Sequence, residues 1–275
     1  MPTNREKRER GMSLQDAPRR TLEDIERLER VPLARRLAVG STYALLQKAL
    51  ASSPEQLARC FLLLGDQPQP GEALTARAFL GKVHQTANLL ADLGMGSQDV
   101  MALLLPDLLE TQVLIWGGQA AGIVCPIPPC LPVPQVVELL QAAKAKVLVA
   151  PSPSVDHELW QKSEQVRRQV RSIALVLQVR GPGNERDAAY AFNALVEEYP
   201  ADRLHTGRQI APDDIAVSLP TRDTTSTRSL VPLTHGNLLY TAWALGLVTT
   251  LAPEDVLLRS LSRFLQGCWW STAGI

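Results

Sequence analysis

Hydroxyl side chains crowd a short segment near the carboxyl end of the chain, at Thr221, Thr224, Thr225, Ser226 and Thr227. Such hydroxyls are typical of loops that bind phosphate, because they donate hydrogen bonds to its oxygens while a following helix adds its positive dipole end. A helix is predicted to follow here, with Thr234 as its N-cap and Asn237 three residues further on. The residue types and spacing in 218–237 therefore predict a phosphate-binding loop between a strand and a helix.

Two other features of a phosphate-binding loop are missing from this segment. Glycines let a backbone adopt positive φ and approach phosphate oxygens, and a lysine supplies a mobile positive charge. No glycine lies between Gly207 and Gly236, and no lysine follows Lys162. Holding a non-glycine residue in the left-handed conformation costs roughly 1–2 kcal/mol. An aspartate such as Asp223 that lies ~4 Å from a phosphate charge makes the binding free energy less favourable by about 4 kcal/mol through repulsion, at an effective dielectric of ~20. We therefore expect weak nucleotide binding, although Arg222 offsets part of the loss.

Apolar strands and amphipathic helices alternate along the chain. Strands are predicted at 59–64, 99–105, 123–127, 146–150, 173–179, 215–219 and 255–261. Helices are predicted at 21–29, 41–51, 75–93, 108–121, 133–143, 157–170, 188–199 and 235–248. This alternation predicts an α/β fold with a mostly parallel sheet and helices on both faces. Ligands of such folds bind at the carboxyl ends of strands, and the loop after Leu219 lies at one such end.

The domain organisation predicted from the sequence has three parts. Residues 1–20 are polar and rich in arginine and glutamate, which predicts a disordered lead-in. Residues 21–205 are expected to form a first α/β subdomain, and residues 206–275 to begin a second, similar sheet that is truncated. An uncovered sheet edge invites pairing, so we expect a protein partner or self-association through this C-terminal part. The part up to Tyr199 is expected to be the more stable unit.

Composition and charge narrow the class of protein. Hydrophobic residues make up 45% and charged residues 20%, as in ordinary globular domains. The formal net charge is zero and no basic stripe is present, so nucleic acid is not expected as a partner. No apolar run approaches the ~20 residues of a transmembrane helix. Four scattered cysteines without a secretory signal predict a reduced, cytoplasmic setting.

The hydroxyl-rich segment and the turn after it resemble the N-terminal part of an AMP-forming acyl-CoA synthetase, in the adenylate-forming superfamily. The general family pattern is Thr-Gly-Gly-Thr-Thr-Gly-x-Pro-Lys, followed shortly by Thr-His-x-Asn. The chain agrees with the pattern at Thr221, Thr224, Thr225 and the turn Thr234-His235-Gly236-Asn237. It departs from the glycines, the proline and the lysine at Arg222, Asp223, Ser226, Arg228 and Ser229. The resemblance thus implies a degenerate phosphate-binding loop.

Upstream stretches extend this resemblance over most of the chain, at residues 85–96, 104–111, 116–123 and 210–216. Members of the family use ATP to convert a carboxylate into an acyl-adenylate, and coenzyme A then takes the acyl group. The resemblance implies ATP with Mg²⁺ and coenzyme A as cofactors, a small-molecule carboxylate as substrate, and an incomplete adenylate-forming N-terminal domain. It implies phosphate contacts from Thr221, Thr224, Thr225 and Ser226, and no catalytic residue, because the family's other sites follow this loop.

Alternatives remain at the level of residues and of function. His235 is either a ligand contact or, as we prefer, a partly exposed residue in the first helical turn. Cys125 and Cys130 are favoured as structural residues over metal ligands. The preferred function is a truncated, catalytically impaired relative of an acyl-CoA synthetase, with no tight ATP binding. The alternatives are a non-catalytic protein-binding module on the same scaffold, or a ligase completed by a partner chain.

Overall fold

The structure, a computed structural model, describes residues 21–23, 26, 30, 39–51, 53–63, 69–184, 189–222 and 228–249. For residues 57–63, 69–72, 222, 228 and 247–249 it describes the backbone. The predicted lead-in, most of the helix predicted at 21–29 and the strand predicted at 255–261 lie outside the described residues.

Helices and strands alternate through the described residues. The helices are α1 (Thr42–Ala51), α2 (Ala76–Asp92), α3 (Leu109–Ala121), α4 (Val133–Ala142), α5 (His157–Gln169), α6 (Phe192–Val196) and α7 (His235–Thr249). The strands are β1 (Leu57–Leu63), β2 (Gln69–Thr75), β3 (Val100–Leu103), β4 (Ile123–Pro126), β5 (Val147–Pro151), β6 (Leu175–Val179), β7 (Ala189–Ala191), β8 (Ile215–Arg222) and β9 (Arg228–Thr234). In the described part, no helix has the length and apolar character needed to cross a bilayer.

Seven of the strands form one sheet, in the order β7-β6-β5-β3-β4-β8-β9. Neighbouring strands are parallel from β7 to β8, and β9 runs antiparallel to β8 at one edge. Strands β1 and β2 form a separate antiparallel pair. The carboxyl ends of the parallel strands therefore meet at one edge of the sheet, which is where ligands of such folds bind.

The core lies on both faces of the sheet, because alternate residues of each strand point to opposite sides. Met101 and Leu103 of β3 pack with side chains of α2, α3 and α6. Val100 and Ala102 of the same strand pack with side chains of α4 and α5. Burial on both faces explains why the strands appear in the sequence as continuous apolar runs. The predicted α/β class, with helices on both faces of a mostly parallel sheet, is confirmed.

Helix α3 is held between α2 and the sheet by two adjacent glycines. A Cβ atom on Gly117 would lie 2.6 Å from Cβ of Thr86 on α2. A Cβ atom on Gly118 would lie 2.4 Å from Cε of Met101 and 2.6 Å from Cγ2 of Val124. Real Cβ atoms do not approach neighbours this closely, so only glycine permits this packing. The Gly-Gly pair of the 116–123 stretch therefore sets the position of α3 against β3 and β4.

The segment between α6 and β8 runs along α2 and is fastened to it by Asn88. The Asn88 Nδ2 group donates to the carbonyl oxygens of Pro200 at 3.1 Å and Arg203 at 3.0 Å. Its Oδ1 atom accepts from the N–H of His205 at 3.0 Å. Asn88 is fully buried, so these bonds satisfy a polar group that water cannot reach. The subdomain boundary predicted between residues 205 and 206 falls beside this attachment and stays a prediction.

Three details differ from the sequence prediction. The strand at 215–222 does not begin a second sheet, since Val217 of β8 is paired with Val124 of β4 in the main sheet. The segment predicted as a helix at 188–199 starts with the short strand β7, and helix α6 covers residues 192–196 alone. Strands β2 and β9 were not predicted. Strand β7 and helix α6 are short, and β9 lies at the edge of the sheet, so their sequence patterns are weak.

Candidate functional site

The hydroxyl-rich loop joins two strands of an antiparallel hairpin, so the prediction that a helix follows it directly was wrong. Strand β9 comes between residues 223–227 and helix α7. Prolines at positions 220 and 232 argue against strands in a sequence, because proline cannot donate to a ladder. Pro232 is nevertheless accommodated on β9, the edge strand of the described sheet. The prolines therefore made β9 unrecognisable as a strand from the sequence, although an edge strand can contain a proline.

Of the predicted phosphate contacts, Thr221 lies near the carboxyl end of β8. Its side chain is exposed, and it is paired across the hairpin with Ser229, which is also exposed. Thr224, Thr225 and Ser226 lie outside the described residues. The structure thus places Thr221 near the edge of the sheet at which the parallel strands end, and its role in phosphate binding stays a prediction.

Helix α7 begins as predicted, at the end of β9 that is far from the hairpin loop. Thr234 Oγ1 accepts from the N–H of Asn237 at 3.1 Å, and Asn237 Oδ1 accepts from the N–H of Thr234 at 3.0 Å, which confirms the predicted cap. Strand β9 runs from the loop to this cap, a span of ~20 Å at ~3.4 Å per residue. The helix dipole therefore does not reach a phosphate held by the loop.

The first N–H groups of α7 also have acceptors within the protein. The N–H of His235 donates to the carbonyl of Asp214 at 2.9 Å, and that of Gly236 donates to the carbonyl of Pro212 at 2.7 Å. A Cβ atom at position 236 would lie 3.1 Å from that same carbonyl, so glycine fits the contact best. The Thr-His-Gly-Asn turn thus attaches α7 to the lead-in of β8 and leaves these N–H groups unavailable to a ligand.

His235 is buried with no exposed surface, so the expectation of partial exposure was wrong. Its Nδ1 atom lies 2.8 Å from Oγ1 of Thr42 on α1, and that hydroxyl donates to Oε1 of Gln119 on α3 at 2.8 Å. Burial lowers the pKa of His235 to about 4, Arg208 lowers it further, and Asp214 acts in the opposite direction. The ring is therefore neutral at pH 7 and ties three helices together. Sequence spacing gives no signal for this contact, because Thr42 is 193 residues away.

Two lysines of the described residues, Lys162 and Lys146, are used in structural contacts. Lys162 Nζ donates to the carbonyl oxygens of Pro129 at 2.5 Å and Leu131 at 3.0 Å, and so holds the loop after β4. Lys146 Nζ lies 2.7 Å from Asp99 Oδ2, at the amino end of β5, which is the opposite edge of the sheet from the hairpin loop. Neither of these lysines therefore takes the place of the lysine that the family pattern has after its phosphate loop.

A charged network closes the carboxyl end of β6. Arg180 donates to both carboxylate oxygens of Glu110, at 2.7 and 2.9 Å, and Asn193 Nδ2 donates to one of them at 3.0 Å. Burial raises the pKa of Glu110, but these hydrogen bonds outweigh it and hold the pKa below its ordinary value. The carboxylate is therefore ionised and its bonds are directed within the protein, which indicates a structural role at the amino end of α3.

A cavity of about 360 Å³ lies at the carboxyl ends of β5 and β6, away from the hairpin. Its lining includes Ser152, Trp160, Arg167, Gln178 and Asn184. Gln178 Oε1 accepts from the N–H of Gly183 at 2.8 Å, so part of its polar wall is already satisfied. Three strand spacings of ~4.8 Å separate β5 from β8, which places the cavity ~14 Å from the hairpin. No motif in the sequence predicts this cavity.

The described part contains side chains of the metal-ligating types and two free cysteines, Cys125 and Cys130. Within the described ranges, no group of three or more His, Cys, Asp or Glu side chains could hold a metal ion. Cys125 is buried and free, and burial raises its pKa to about 12, while Cys130 is exposed and free. The thiol of Cys125 is therefore protonated at pH 7 and acts as a small apolar side chain.

The hairpin fits a phosphate group in part. It offers exposed hydroxyls at Thr221 and Ser229, and positive residues at the paired positions 222 and 228. It offers no lysine and no nearby helix amino terminus. The described residues of the hairpin thus offer hydroxyls that suit a phosphate-bearing anion.

Comparison with known proteins agrees with this arrangement. The profile of the family described as "AMP-binding enzyme" matches residues 46–274. The chain is 25% identical over 235 residues to a marinolic acid–CoA ligase of Pseudoalteromonas sp. (strain SANK 73390), covering 86% of this chain and 36% of that protein. The chain thus spans about a third of the length of that relative.

Solved structures share the fold at low identity. A putative long-chain-fatty-acid CoA ligase of Rhodopseudomonas palustris CGA009 superposes with a TM-score of 0.69 at 21% identity, over 86% of this chain and 56% of that one. ATP-bound MatB of Rhodopseudomonas palustris superposes with a TM-score of 0.64 at 18% identity, over 84% of this chain and 42% of that one. Because the family profile covers most of the sequence, the chain belongs to the AMP-binding enzyme family and corresponds to the N-terminal part of an adenylate-forming acyl-CoA synthetase.

Proposed function

We propose that this chain is a catalytically impaired relative of the acyl-CoA synthetases, whose hairpin loop binds ATP too weakly for acyl-adenylate formation. The observation that carries the proposal is the β8–β9 hairpin, whose loop follows the carboxyl end of β8, the end at which ligands of parallel α/β folds bind. Its last paired positions are Arg222 and Arg228, where the family pattern has a glycine and a proline. The phosphate contacts that remain are Thr221, Thr224, Thr225 and Ser226.

Three physical terms support weak binding. Side chains at the glycine positions of the loop restrict the approach of backbone N–H groups to phosphate oxygens. The dipole of α7 acts ~20 Å away, at the far end of β9. No lysine follows Lys162, so the mobile cation of the family pattern is missing. Each ~1.4 kcal/mol of lost binding free energy lowers the affinity tenfold. Together these three effects should weaken ATP binding by several powers of ten.

The ancestral reaction follows from the family and its named members. The Pseudoalteromonas relative is a marinolic acid–CoA ligase. We therefore propose a small-molecule carboxylate as the ancestral substrate, with ATP, Mg²⁺ and coenzyme A as the other reactants. The free thiols of Cys125 and Cys130 support a reducing, cytoplasmic setting for the protein.

A non-catalytic protein-binding role is the second candidate. Among the described residues β9 is the edge of the sheet, and its Val231 is 41% exposed. Leu245 on the neighbouring helix α7 is 36% exposed. An edge strand beside exposed apolar side chains is a surface on which another polypeptide can add a strand.

Calorimetric titration with ATP and Mg²⁺, and a pyrophosphate-release assay with mixed carboxylic acids, test the main proposal. We expect no low-micromolar ATP affinity and no release of pyrophosphate. A variant with the family residues restored (Arg222→Gly, Asp223→Gly, Ser226→Gly and Ser229→Lys) should bind ATP at least about tenfold more tightly. Gln169→Lys, which adds a lysine at an exposed position on α5, is the control for charge. Pyrophosphate release by the unaltered chain would refute the proposal.

A further inference from the structure

Helix α5 contributes one of its faces to the cavity at the carboxyl ends of β5 and β6. Trp160, Glu164 and Arg167 line this cavity, and their spacing of four and then three residues places them on the same face of the helix. The cavity has a volume of about 360 Å³. An apolar cavity of ~150 Å³ already accepts a benzene ring, so there is space here for a small aromatic molecule.

Gln178 of β6 also lines the cavity, and it is the polar residue of an apolar strand. The other residues of β6 belong to the hydrophobic core, whereas Gln178 is a glutamine that is only 5% exposed. Its Oε1 atom accepts from the N–H of Gly183 at 2.8 Å. A Cβ atom at position 181 would lie 2.6 Å from Cδ of Gln178, so the amide is held tightly against this loop.

The hydrogen bond to Gly183 fixes the orientation of the Gln178 amide. Because Oε1 accepts that bond, Nε2 is the donor end of the side chain. Among the described residues, none accepts a hydrogen bond from Nε2. Buried polar groups are normally hydrogen-bonded, so this donor indicates a ligand with an acceptor atom.

Glu164 supplies an acceptor to the same cavity. Its carboxylate oxygens lie 3.9 Å from Nη1 of Arg167 and 4.0 Å from Nη2 of Arg168, and both distances are too long for hydrogen bonds. The Glu164 side chain is 30% exposed, so a ligand can reach it. The charges of the two lining residues Glu164 and Arg167 balance each other, which favours a neutral ligand over an ion.

We propose that this cavity binds a neutral aromatic molecule that carries both a hydrogen-bond acceptor and a donor, of which a primary aromatic amide is the simplest. The ring packs against the indole of Trp160, the acceptor binds Gln178 Nε2, and the donor binds the Glu164 carboxylate. The site is ~14 Å from the β8–β9 hairpin, at three strand spacings, and it does not depend on the function proposed for the hairpin.

Binding of benzamide to the full chain, followed by saturation-transfer NMR and titration, tests the site. Benzoate has the same ring but is charged and cannot donate, so it should bind at least about tenfold more weakly. Cyclohexanecarboxamide keeps the amide and loses the flat ring, so it should also bind more weakly than benzamide. Benzamide should raise the melting temperature of the unaltered chain, because it binds the folded state.

Three variants test the three contacts. Trp160→Leu should weaken benzamide binding by about fivefold, the loss expected for an aromatic contact, and Glu164→Ala by about tenfold. Gln178→Glu keeps the oxygen that accepts from Gly183 and removes the donor, so it should weaken binding by about tenfold as well. Glu158→Ala is the matched control, because it removes an exposed carboxylate from the first turn of the same helix. Circular dichroism shows whether each variant is folded.

Three results would overturn the proposal. The first is no saturation transfer to benzamide from the unaltered chain. The second is equal benzamide affinity in Trp160→Leu, Glu164→Ala and Glu158→Ala, which are changes at partly or fully exposed positions of α5. The third is benzoate binding as tightly as benzamide, with the same dependence on Trp160, which would assign the cavity to a carboxylate.

Discussion

Nδ1 of His235 lies 2.8 Å from Oγ1 of Thr42, and this contact joins helices that are 193 residues apart in sequence. The same hydroxyl donates to Gln119, so one buried threonine connects α1, α3 and α7. In the sequence, His235 belongs to the turn that follows the phosphate loop. In the structure, it is a packing residue that holds the start of α7 against the body of the fold.

The first prediction concerns pH. The pKa of His235 is lowered from 6.5 to about 4 in the folded state, so the unfolded chain binds more protons between these values. The stability due to the neutral ring is therefore complete above about pH 6.5 and is lost as the pH falls towards 4. The shift corresponds to about 3 kcal/mol. Urea unfolding at several pH values between 4 and 7.5 should show this slope.

A variant and a control isolate the contribution of His235 to the pH dependence of stability. His235→Gln should be less stable at pH 7 and should show a flatter dependence of the free energy of unfolding on pH. His157→Gln, which removes an exposed imidazole at the start of α5, is the matched control. An unaltered slope in His235→Gln would show that other groups, and not His235, cause the acid sensitivity.

Much of the fold was predictable from the sequence, because strands buried on both faces leave long apolar runs between helical patterns. Strand β3, with every residue buried, is such a run. The position of β8 was not predictable in this way, since its neighbour β4 lies about 90 residues earlier. The apolar pattern of a strand gives its faces and does not give its neighbour in the sheet.

For the candidate site, the sequence predicted the cap of α7 because Thr234 and Asn237 lie within one helical turn and interact locally. It could not predict the burial of His235, which depends on the distant Thr42. It also could not predict the opposed pair Arg222 and Arg228, which depends on the strand register. Hydrogen bonds within one helical turn could thus be predicted from residue spacing, whereas contacts between distant parts of the chain could not.

The second prediction concerns the close packing of α3 on α2. Gly117→Ala places a Cβ atom 2.6 Å from Cβ of Thr86, so the helices must separate. We expect a loss of about 1–3 kcal/mol, as for other overpacked cores. Gly246→Ala on α7 is the control, because an added Cβ there meets no atom within 4 Å. It should be neutral or stabilising by up to about 1 kcal/mol. Chemical denaturation of both variants measures the difference, and equal stability would contradict the packing described here.

The third prediction concerns the segment that Asn88 fastens to α2. Asn88→Ala leaves the carbonyl oxygens of Pro200 and Arg203 without this donor, and the N–H of His205 without its acceptor. Each of these hydrogen bonds contributes about 0.5–1.5 kcal/mol. We therefore expect faster limited proteolysis within residues 199–208 than in the unaltered chain. Gln161→Ala, an exposed amide on α5, is the control. If Asn88→Ala is cleaved no faster than this control, Asn88 does not fasten the segment.

The fourth prediction concerns the ion pair at the carboxyl end of β6. Glu110→Gln removes the negative charge that accepts both hydrogen bonds from Arg180, while it keeps the shape of the side chain. Because the Glu110 side chain is only 15% exposed, solvent screens this pair less than a surface pair, and a loss of about 1–3 kcal/mol is expected. The pKa of Glu110 is lowered in the folded state, so its stabilising effect is present above the carboxylate's ordinary pKa and is lost in acid. Glu55→Gln is the control, since Glu55 pairs with Arg77 on the surface and both side chains are more than 70% exposed. A smaller loss in Glu110→Gln than in Glu55→Gln at pH 7 would show that the network of Arg180 contributes little to the stability of this edge of the sheet.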